Sequence, residues 1–196
     1  MGNYNWKKDI SRSNIHETYM VNEFFLKKRG MPAAYLFPLE FQIMGDVLLF
    51  TNKGSICCEL KEDRSCPIWG NVAIEYYSRG NASGIAITKA DVWVHSAHRR
   101  NGTIEHCFIK RERLVEIIDN NLYERITKTA RDNGSNTCCY LFNVELFKKH
   151  CVAVFEENED EYEQFYKRSD ARRVYENLML SSEQFCRSGN NISAIR

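Results

Sequence analysis

The fold is decided by residues 45–61, which read GDVLLFTNKGSICCELK. An apolar, β-branched run precedes the turn sequence Asn52-Lys53-Gly54 and a second strand-like run follows it, so the stretch predicts an antiparallel hairpin. When the chain turns at Asn52-Lys53, residues whose numbers sum to about 105 face each other. Asp46 then lies opposite Glu59, and directly opposite residues have Cβ atoms about 4.5 to 5.5 Å apart. The hairpin therefore brings two carboxylates together at its open end.

A third charge joins this pair, because Glu59 and Lys61 are two residues apart on one strand and their side chains leave the same face. Two carboxylates this close repel each other unless a cation lies between them. Mg²⁺ takes oxygen ligands, often from only one or two side chains. The bound ion lowers the pKa of a water and stabilises negative charge on a phosphate, and a nearby ammonium can position that water or neutralise the transition state. These are the parts that hydrolysis of a phosphodiester requires.

The alternative interpretation is a surface hairpin in which Glu59 and Lys61 are only solvated strand charges. Two details favour a site. The strand is apolar up to Glu59, so the charges begin where a buried strand emerges. Gly45 precedes Asp46 and allows a close approach of the backbone. We therefore treat the open end of the hairpin as the candidate site.

Composition excludes several classes of protein. The 196 residues include 27 Lys and Arg against 26 Asp and Glu, a net charge of +1, which excludes a histone-like or polyacidic chain. A hydrophobic fraction of 43% excludes wholesale disorder, and no apolar run reaches the roughly 18 to 20 residues that span a bilayer. The N-terminus has no apolar signal-peptide region. The two adjacent cysteine pairs lack the spacing of a zinc site, so we expect free thiols and a reducing, intracellular location.

The remaining sequence predicts further helices and strands. The predicted helices are Asn14–Arg29, a short one within Ile85–Ala90, Glu112–Asn120, a turn at Glu145–His150, and the charged segment Asp160–Leu180. The predicted strands besides the hairpin are Asn71–Tyr77, Asp91–Ser96, His106–Lys110 and Cys138–Val144, with a short extended piece at Phe37–Ile43. This order predicts an α/β (α+β) fold with a mixed central sheet flanked by helices. We expect a single domain over residues 1–196, with a core of about residues 14–150 and a helical extension of about residues 156–196.

The chain resembles the PD-(D/E)XK nuclease superfamily, which includes Holliday-junction resolvases and many restriction enzymes. Gly45-Asp46 matches the first acid of the motif, with Gly rather than Pro before the acid, and Glu59-Leu60-Lys61 matches its E-x-K element. The resemblance covers about residues 14–96. There the predicted helix and the four strands with an intervening short helix match the restriction-endonuclease-like αβββαβ core of the family.

The resemblance implies roles for these residues. Asp46 and Glu59 would ligate Mg²⁺, for which Mn²⁺ would substitute, and Lys61 would align the attacking water or stabilise the transition state. The family often supplies a further acid from its first helix, and Glu17 is the first candidate here.

Two other acids stay open for that further role, namely Glu23 in the same predicted helix and Glu40, which is nearer to Asp46 in the sequence. From the residue alone, a glutamate in the first turn of a helix commonly only complements the helix dipole.

The segments 70–76 and 83–95 resemble the sequence that follows E-x-K in phage-type members. By that resemblance Glu75 supports the site, and three residues contact the nucleic acid, namely Ser83, Thr88 and Lys89. From the residues alone, Glu75 is equally well a strand-exposed acid and Thr88 a helix N-cap.

Basic clusters could follow a phosphate backbone. These clusters are Lys27-Lys28-Arg29, Arg99-Arg100 and Lys110-Arg111-Arg113. Arg99 and Arg100 follow the fourth strand and are the best placed of them for nucleic acid, while solvated helix ends are the alternative for each cluster. His95 and His98 in the same region are either catalytic or, as strand-end histidines commonly are, structural.

Together these features predict a Mg²⁺-dependent endodeoxyribonuclease. The resolvase relationship implies a branched or Holliday-junction DNA substrate, a role in DNA recombination or repair, a homodimer, and an intracellular protein encoded by a cell, a phage or a virus. Two alternatives stay open, namely an RNA endonuclease of the same fold and a catalytically silent module that binds nucleic acid. The intact pair of mutually repelling acids favours the enzyme.

Overall fold

The computed structural model describes residues 6–130, 136–168 and 170–188. The strands are β1 (Ala33–Leu36), β2 (Val47–Thr51), β3 (Gly54–Asp63), β4 (Asn71–Ser78), β5 (Asn81–Ala82), β6 (Val92–His98), β7 (Thr103–Lys110), β8 (Arg125–Ala130), β9 (Asn136–Asn143) and β10 (Ala153–Asn158). The α-helices are α1 (Trp6–Tyr19), α2 (Cys66–Trp69), α3 (Arg111–Asp119), α4 (Val144–Lys148), α5 (Glu159–Tyr166) and α6 (Ala171–Arg187). Helix α1 continues as a π-helical segment over Met20–Lys28, and two 3₁₀ helices cover Leu39–Met44 and Gly84–Ala86.

Two sheets organise the chain. The central sheet has the strand order β1-β2-β3-β6-β7-β10, in which β3 and β6 are parallel and the other neighbours are antiparallel. The second sheet has the order β5-β4-β9-β8 and is antiparallel. The prediction of a mixed α+β fold with a mixed central sheet flanked by helices is confirmed.

The predicted hairpin forms with the predicted register. Strand β2 pairs with β3 so that Val47 faces Cys58 and Thr51 faces Gly54, and each pair sums to 105. The turn lies at Asn52-Lys53. Asp46 and Glu59 are therefore the next opposed positions beyond the last ladder pair, where the candidate site was predicted.

Apolar side chains fill both faces of the central sheet. On one face, α1 and its π-helical continuation pack with α5 against the strands, and the buried members include Tyr19, Met20, Val21, Phe24, Phe25, Val47, Leu60, Val94 and Tyr162. The other face packs against α3, α4 and the second sheet, and the buried members include Val72, Ile74, Trp93, Ile109, Leu114, Ile117, Phe142 and Phe147. The sheet is thus held between two layers, which fixes the strand ends that carry the polar residues.

The prediction for residues 37–43 is wrong, because this stretch is not extended. Leu39–Met44 forms a 3₁₀ helix, and Phe41 and Met44 pack together against Leu48. A spacing of three residues puts both side chains on one face of a 3₁₀ helix, which explains the conformation. The strand in this region is β1, which pairs with β2 at the edge of the central sheet.

Strand β4 is also not where it was expected. The sequence placed Asn71–Tyr77 in the central sheet, but β4 pairs with β5 and β9 in the second sheet. The parallel pairing of β3 with β6 explains this, because a parallel connection must leave the sheet and return. The short helix expected within Ile85–Ala90 is limited to the 3₁₀ turn of Gly84–Ala86.

The start of the helical extension needs a correction as well. Residues 153–158 form β10, an outer strand of the central sheet, and the first helix of the extension begins at Glu159. Because this segment is acidic, the sequence analysis assigned it to the helical extension and not to a strand. Its Glu157 accepts hydrogen bonds from Tyr19 and His106, so the charge is paired inside the fold. Strand β8 was likewise not predicted, and the last predicted residues, 189–196, lie outside the described part.

All eight cysteines, which lie within the described residues, carry free thiols, as predicted. Among the described residues, no helix combines the length and the apolar character needed to cross a membrane.

Candidate active site

An open cavity of about 780 Å³ lies where α1, the start of β2 and the middle of β3 meet. Seven of the residues singled out from the sequence line it, namely Glu17, Asp46, Glu59, Lys61, Glu75, Ser83 and Thr88. Three do not, namely Lys89, Arg99 and Arg100. The cavity therefore collects the acids and the lysine of the motif from four separate parts of the chain.

Asp46 is fixed by two backbone hydrogen bonds. Its own N–H donates to the carbonyl of Cys58 at 2.8 Å, and its Oδ2 accepts the N–H of Leu60 at 2.7 Å. The carboxylate thus satisfies a backbone donor of β3 just beyond the end of β2. This anchoring holds one oxygen toward the strand, and the carboxylate lines the cavity beside Glu59.

Gly45 makes this approach possible. Its φ is +119°, and a Cβ built there would lie 2.6 Å from the carbonyl oxygen of Cys58. A side chain at this position would push the chain away from β3 and move Asp46 out of place.

We expect Gly45→Ala to lower the free energy of unfolding by about 3 kcal/mol, because backbone strain and overpacking add together. Gly54→Ala is the matched control, since Gly54 has a φ of +129° but nothing within 4 Å of the added Cβ. The control should lose only about 1 to 2 kcal/mol from backbone strain. Urea unfolding of both variants measures the difference, and equal losses would contradict a close contact at Gly45.

Glu59 is held by partners on both carboxylate oxygens. Lys61 Nζ lies 2.7 Å from Oε1, and the hydroxyl of Thr88 donates to Oε2 at 3.0 Å. Thr88 is itself buried and accepts the N–H of Ala90 at 3.2 Å. Thr88 is therefore not a helix N-cap; it orients Glu59.

Lys61 keeps its amine partly open to solvent. Its side chain is 39% exposed, whereas that of Glu59 is 9% exposed. Burial acts to lower the pKa of Lys61, but the charges of Glu59 and Asp46 outweigh it and hold the pKa above its usual value. The amine is thus a permanent cation at the mouth of the cavity.

Glu17 reaches the same cavity from α1. Ser13, one turn earlier, donates to Glu17 Oε1 at 2.9 Å. Burial, followed by the charge of Asp46, raises the pKa of Glu17 to about 8. Burial also raises the pKa of Asp46 to about 6, because the repulsion from Glu59 adds to it while Lys61 only partly opposes the shift. Glu17 and Asp46 therefore hold their protons to a higher pH than free carboxyl groups do, although Lys61 is a neighbouring cation.

Only Glu17 among the three acids proposed for the further role lines the cavity. Glu23 is bound instead by Lys27 at 2.7 Å, and Glu40 is exposed outside it. Of the three candidates for the further acid, Glu17 is therefore the one that is placed to act in the cavity.

The loop after β5 closes one side of the cavity. Ser83 donates a hydrogen bond from its hydroxyl to Glu75 of β4. A Cβ built on Gly84 would lie 2.3 Å from the carbonyl oxygen of Glu75, and the φ of Gly84 is +50°. This glycine lets the 3₁₀ turn rest on β4, which places Thr88 over Glu59. Glu75 is thus not a free strand acid but part of the cavity wall.

The three basic candidates lie outside the cavity. Lys89 is exposed and donates its backbone N–H to Ile43 at 2.7 Å. Arg99 lies between Glu105 at 3.4 Å and Glu145 at 3.2 Å. Arg100 is exposed and donates to the carbonyl of Ile68 at 3.4 Å. Arg99 and Arg100 are at the opposite end of β6 from Thr88, so the cavity does not include them.

The two histidines of β6 are buried and do not line the cavity. His98 lies between Glu159 at 2.6 Å and Glu62 at 3.1 Å, and His95 lies 3.4 Å from Asp63. Their places match the structural interpretation of strand-end histidines.

Helix α6 supplies two lining residues that the sequence interpretation missed, Tyr175 and Met179. The charged character of this segment had predicted only a helical extension outside the core. An apolar stripe at helical spacing could have predicted this packing. It consists of Tyr175, Leu178 and Met179, which pack against the same apolar cluster as α1 and α5.

The donor set fits a hard divalent cation. Carboxylate oxygens of Asp46 and Glu59, with Glu17 opposite, are the ligand type that Mg²⁺ and Mn²⁺ take. Burial is the main cause of the raised pKa values of Asp46 and Glu17, and a bound cation would favour the ionised form of both carboxylates. Among the described residues, no group of three His, Cys, Asp or Glu side chains is arranged to enclose a metal ion. An ion here would keep several waters, as Mg²⁺ commonly does.

Comparisons of the chain with protein-family models, with curated proteins and with solved structures found no match. The function is therefore inferred from the residues of the site itself.

Proposed function

We propose that the protein is a metal-dependent endonuclease that hydrolyses phosphodiester bonds in DNA. The observation that carries the proposal is the convergence of Asp46, Glu59 and Lys61 in one open cavity, with Glu17 opposite. This combination is difficult to explain as a structural device, because neighbouring buried acids without a bound cation cost stability.

We further propose that the core is of the PD-(D/E)XK type. Three features support it, namely a helix before the sheet, three antiparallel strands β1, β2 and β3, and a strand β6 parallel to β3. In this arrangement β1, β2 and β3 are the first three strands. Asn71–Tyr77, which the sequence interpretation had as the third strand, lies outside the central sheet. The acids occupy the start of β2 and the middle of β3, where the E-x-K motif requires them.

Each residue has a role in this proposal. Asp46 and Glu59 would hold Mg²⁺ or Mn²⁺, which when bound supplies an acidic water and neutralises charge on the phosphate. Lys61 donates to the attacking water or to a phosphate oxygen, and its raised pKa keeps it charged. Glu17 accepts a hydrogen bond from a water in the cavity. Thr88 keeps Glu59 in one orientation.

The substrate and setting remain those implied by the resemblance. We propose DNA, including branched or Holliday-junction DNA, as the substrate, with recombination or repair as the setting, and a homodimer that cuts two symmetric strands. Ser83 is the cavity residue proposed to contact the nucleic acid directly, because it lines the cavity wall beside Glu75.

The test is a cleavage assay on plasmid, single-stranded, four-way-junction and RNA substrates with Mg²⁺, Mn²⁺ or EDTA. We expect DNA cleavage with either metal, none with EDTA, and a fall to the EDTA level in Glu59→Gln. Glu40→Gln is the matched control, because Glu40 is exposed and outside the cavity. Equal cleavage by Glu59→Gln and the wild type would rule out this site. Cleavage of RNA alone would favour the RNA endonuclease, and binding without cleavage under every metal condition would favour the silent module.

A further inference from the structure

A second concave surface lies beside the cavity and crosses four neighbouring strands of the central sheet, β3, β6, β7 and β10. It consists of two depressions of about 560 Å³ each, which share Lys110 and Glu112. We call it the strand-end groove. It begins at Ile56 of β3 and Lys89 before β6, passes the end of β7, and reaches Lys149 before β10. Because Lys89 directly follows Thr88, the groove starts one residue from a side chain that binds Glu59.

The groove is more basic than the chain as a whole. Five cationic side chains line it, namely Lys89, Lys110, Arg111, Arg113 and Lys149, against three carboxylates, namely Asp91, Glu112 and Glu116. The whole chain, in contrast, is nearly balanced. The groove is therefore a local positive surface of the kind that attracts phosphates.

Several of these charges are available to a ligand. Among the described residues, Lys89 and Arg111 form no ion pair, and Lys89 is exposed to solvent. Lys110 is 58% exposed and meets only the exposed Glu112, at 3.4 Å. Such a surface pair contributes little and yields easily to a phosphate. The carboxylate of Asp91 is already occupied by the backbone N–H of Cys57.

The length of the groove can be read from the strand pairing. Cys58 pairs with Val92, Val92 pairs with Lys110, and Ala153 pairs with Phe108 near the same end. Three steps between neighbouring strands of about 4.8 Å each amount to about 14 Å. This length equals the rise of about four base pairs of duplex DNA.

We propose that the strand-end groove binds the phosphate backbone of duplex DNA over about four base pairs on one side of the bond held in the cavity. This inference rests on the proposed function, because the cavity defines which end of the strand-end groove lies next to the phosphate that reacts. It assigns Lys89 and Lys110 as phosphate contacts that do not take part in the chemistry.

The test measures binding of a 20-base-pair DNA duplex in EDTA, where cleavage does not occur, as a function of salt. We expect Lys89→Ala/Lys110→Ala to weaken binding about ten- to hundredfold at low salt and to reduce the slope of log K against log salt by about 2. The control is Lys53→Ala/Lys128→Ala, which removes the same charge from two exposed positions outside the groove and the cavity. All four lysines are exposed, so thermal unfolding should be unchanged.

Failure of this proposal differs from failure of the proposed function. Equal affinity and equal salt slope in the two double variants would overturn the groove, even if Mg²⁺-dependent cleavage were present. Absence of duplex binding by the wild type would overturn it as well. If DNA binding is weakened in the groove variant and not in the control, the groove proposal is supported. If the wild type also cleaves DNA with neither metal, only the nuclease proposal fails.

Discussion

Lys61→Met is expected to slow DNA cleavage by about 1,000-fold with little change in DNA affinity. Its amine is 2.7 Å from Glu59, and the side chain, which is 39% exposed, lines the cavity, where the amine can reach a substrate oxygen. Removing one donor that stabilises charge in a transition state commonly costs about 100- to 1,000-fold. The methionine keeps the length of the side chain and its apolar stem but removes the ammonium, which lies 5.7 Å from the centre of the Trp93 ring.

Single-turnover cleavage with saturating Mg²⁺ measures this effect. Lys53→Met is the matched control, because Lys53 is an exposed lysine in the turn of the same hairpin. It should cleave at the wild-type rate. A Lys61→Met variant that is folded and cleaves within tenfold of the wild type would remove Lys61 from the proposed chemistry.

Divalent cations are expected to stabilise the protein strongly at pH 8 and hardly at pH 5. In the folded protein the pKa of Glu17 is about 8 and that of Asp46 about 6, against usual values of 4.5 and 3.8. Between these values the folded state holds more protons than the unfolded chain, so metal-free stability falls as pH rises from about 4 to 8. A cation binds the ionised carboxylates and must displace those protons at low pH.

The expected size follows from binding linkage. At a Mg²⁺ concentration 100 times its dissociation constant, folding gains about 2.7 kcal/mol. A chain of this size then melts about 5 to 10 °C higher. Thermal unfolding with and without Mg²⁺ at pH 5 and pH 8 measures the difference.

The Glu17→Gln variant tests the metal-free pH dependence separately from the Mg²⁺ effect. The amide carries no charge, so the metal-free variant should melt higher than the wild type at pH 8 and about the same at pH 4. Glu23→Gln, on the same helical segment but outside the cavity, serves as the control and should show neither change. If Mg²⁺ raised the melting temperature as much at pH 5 as at pH 8, this would contradict a site made of carboxylates with raised pKa values.

The sequence was sufficient for the hairpin because its information is local. The turn at Asn52-Lys53 sets the register, and the register sets which residue faces Glu59. Glu17 could be placed on a helix in the same way, but its approach to the cavity depends on how α1 packs on the sheet, which no local pattern fixes.

The elements that were missed depend on distant partners. Strand β1 has only four residues, and it forms because it pairs with β2. Strand β10 looks like a charged helix in sequence, and its Glu157 is acceptable in the fold only because His106, Tyr19 and Lys28 bind it. The placement of β4 in a second sheet follows from the parallel pairing of β3 with β6, which becomes visible only in three dimensions.

The parallel pairing of β3 with β6 also has an evolutionary consequence. It obliges the chain to make a long excursion over residues 64–91, and this excursion carries Glu75, Ser83 and Thr88 to the cavity wall. The acids of the hairpin lie outside it. In the nuclease proposed above, exchange or lengthening of this excursion during evolution would reshape which nucleic acid is admitted while Asp46, Glu59 and Lys61 stay in place.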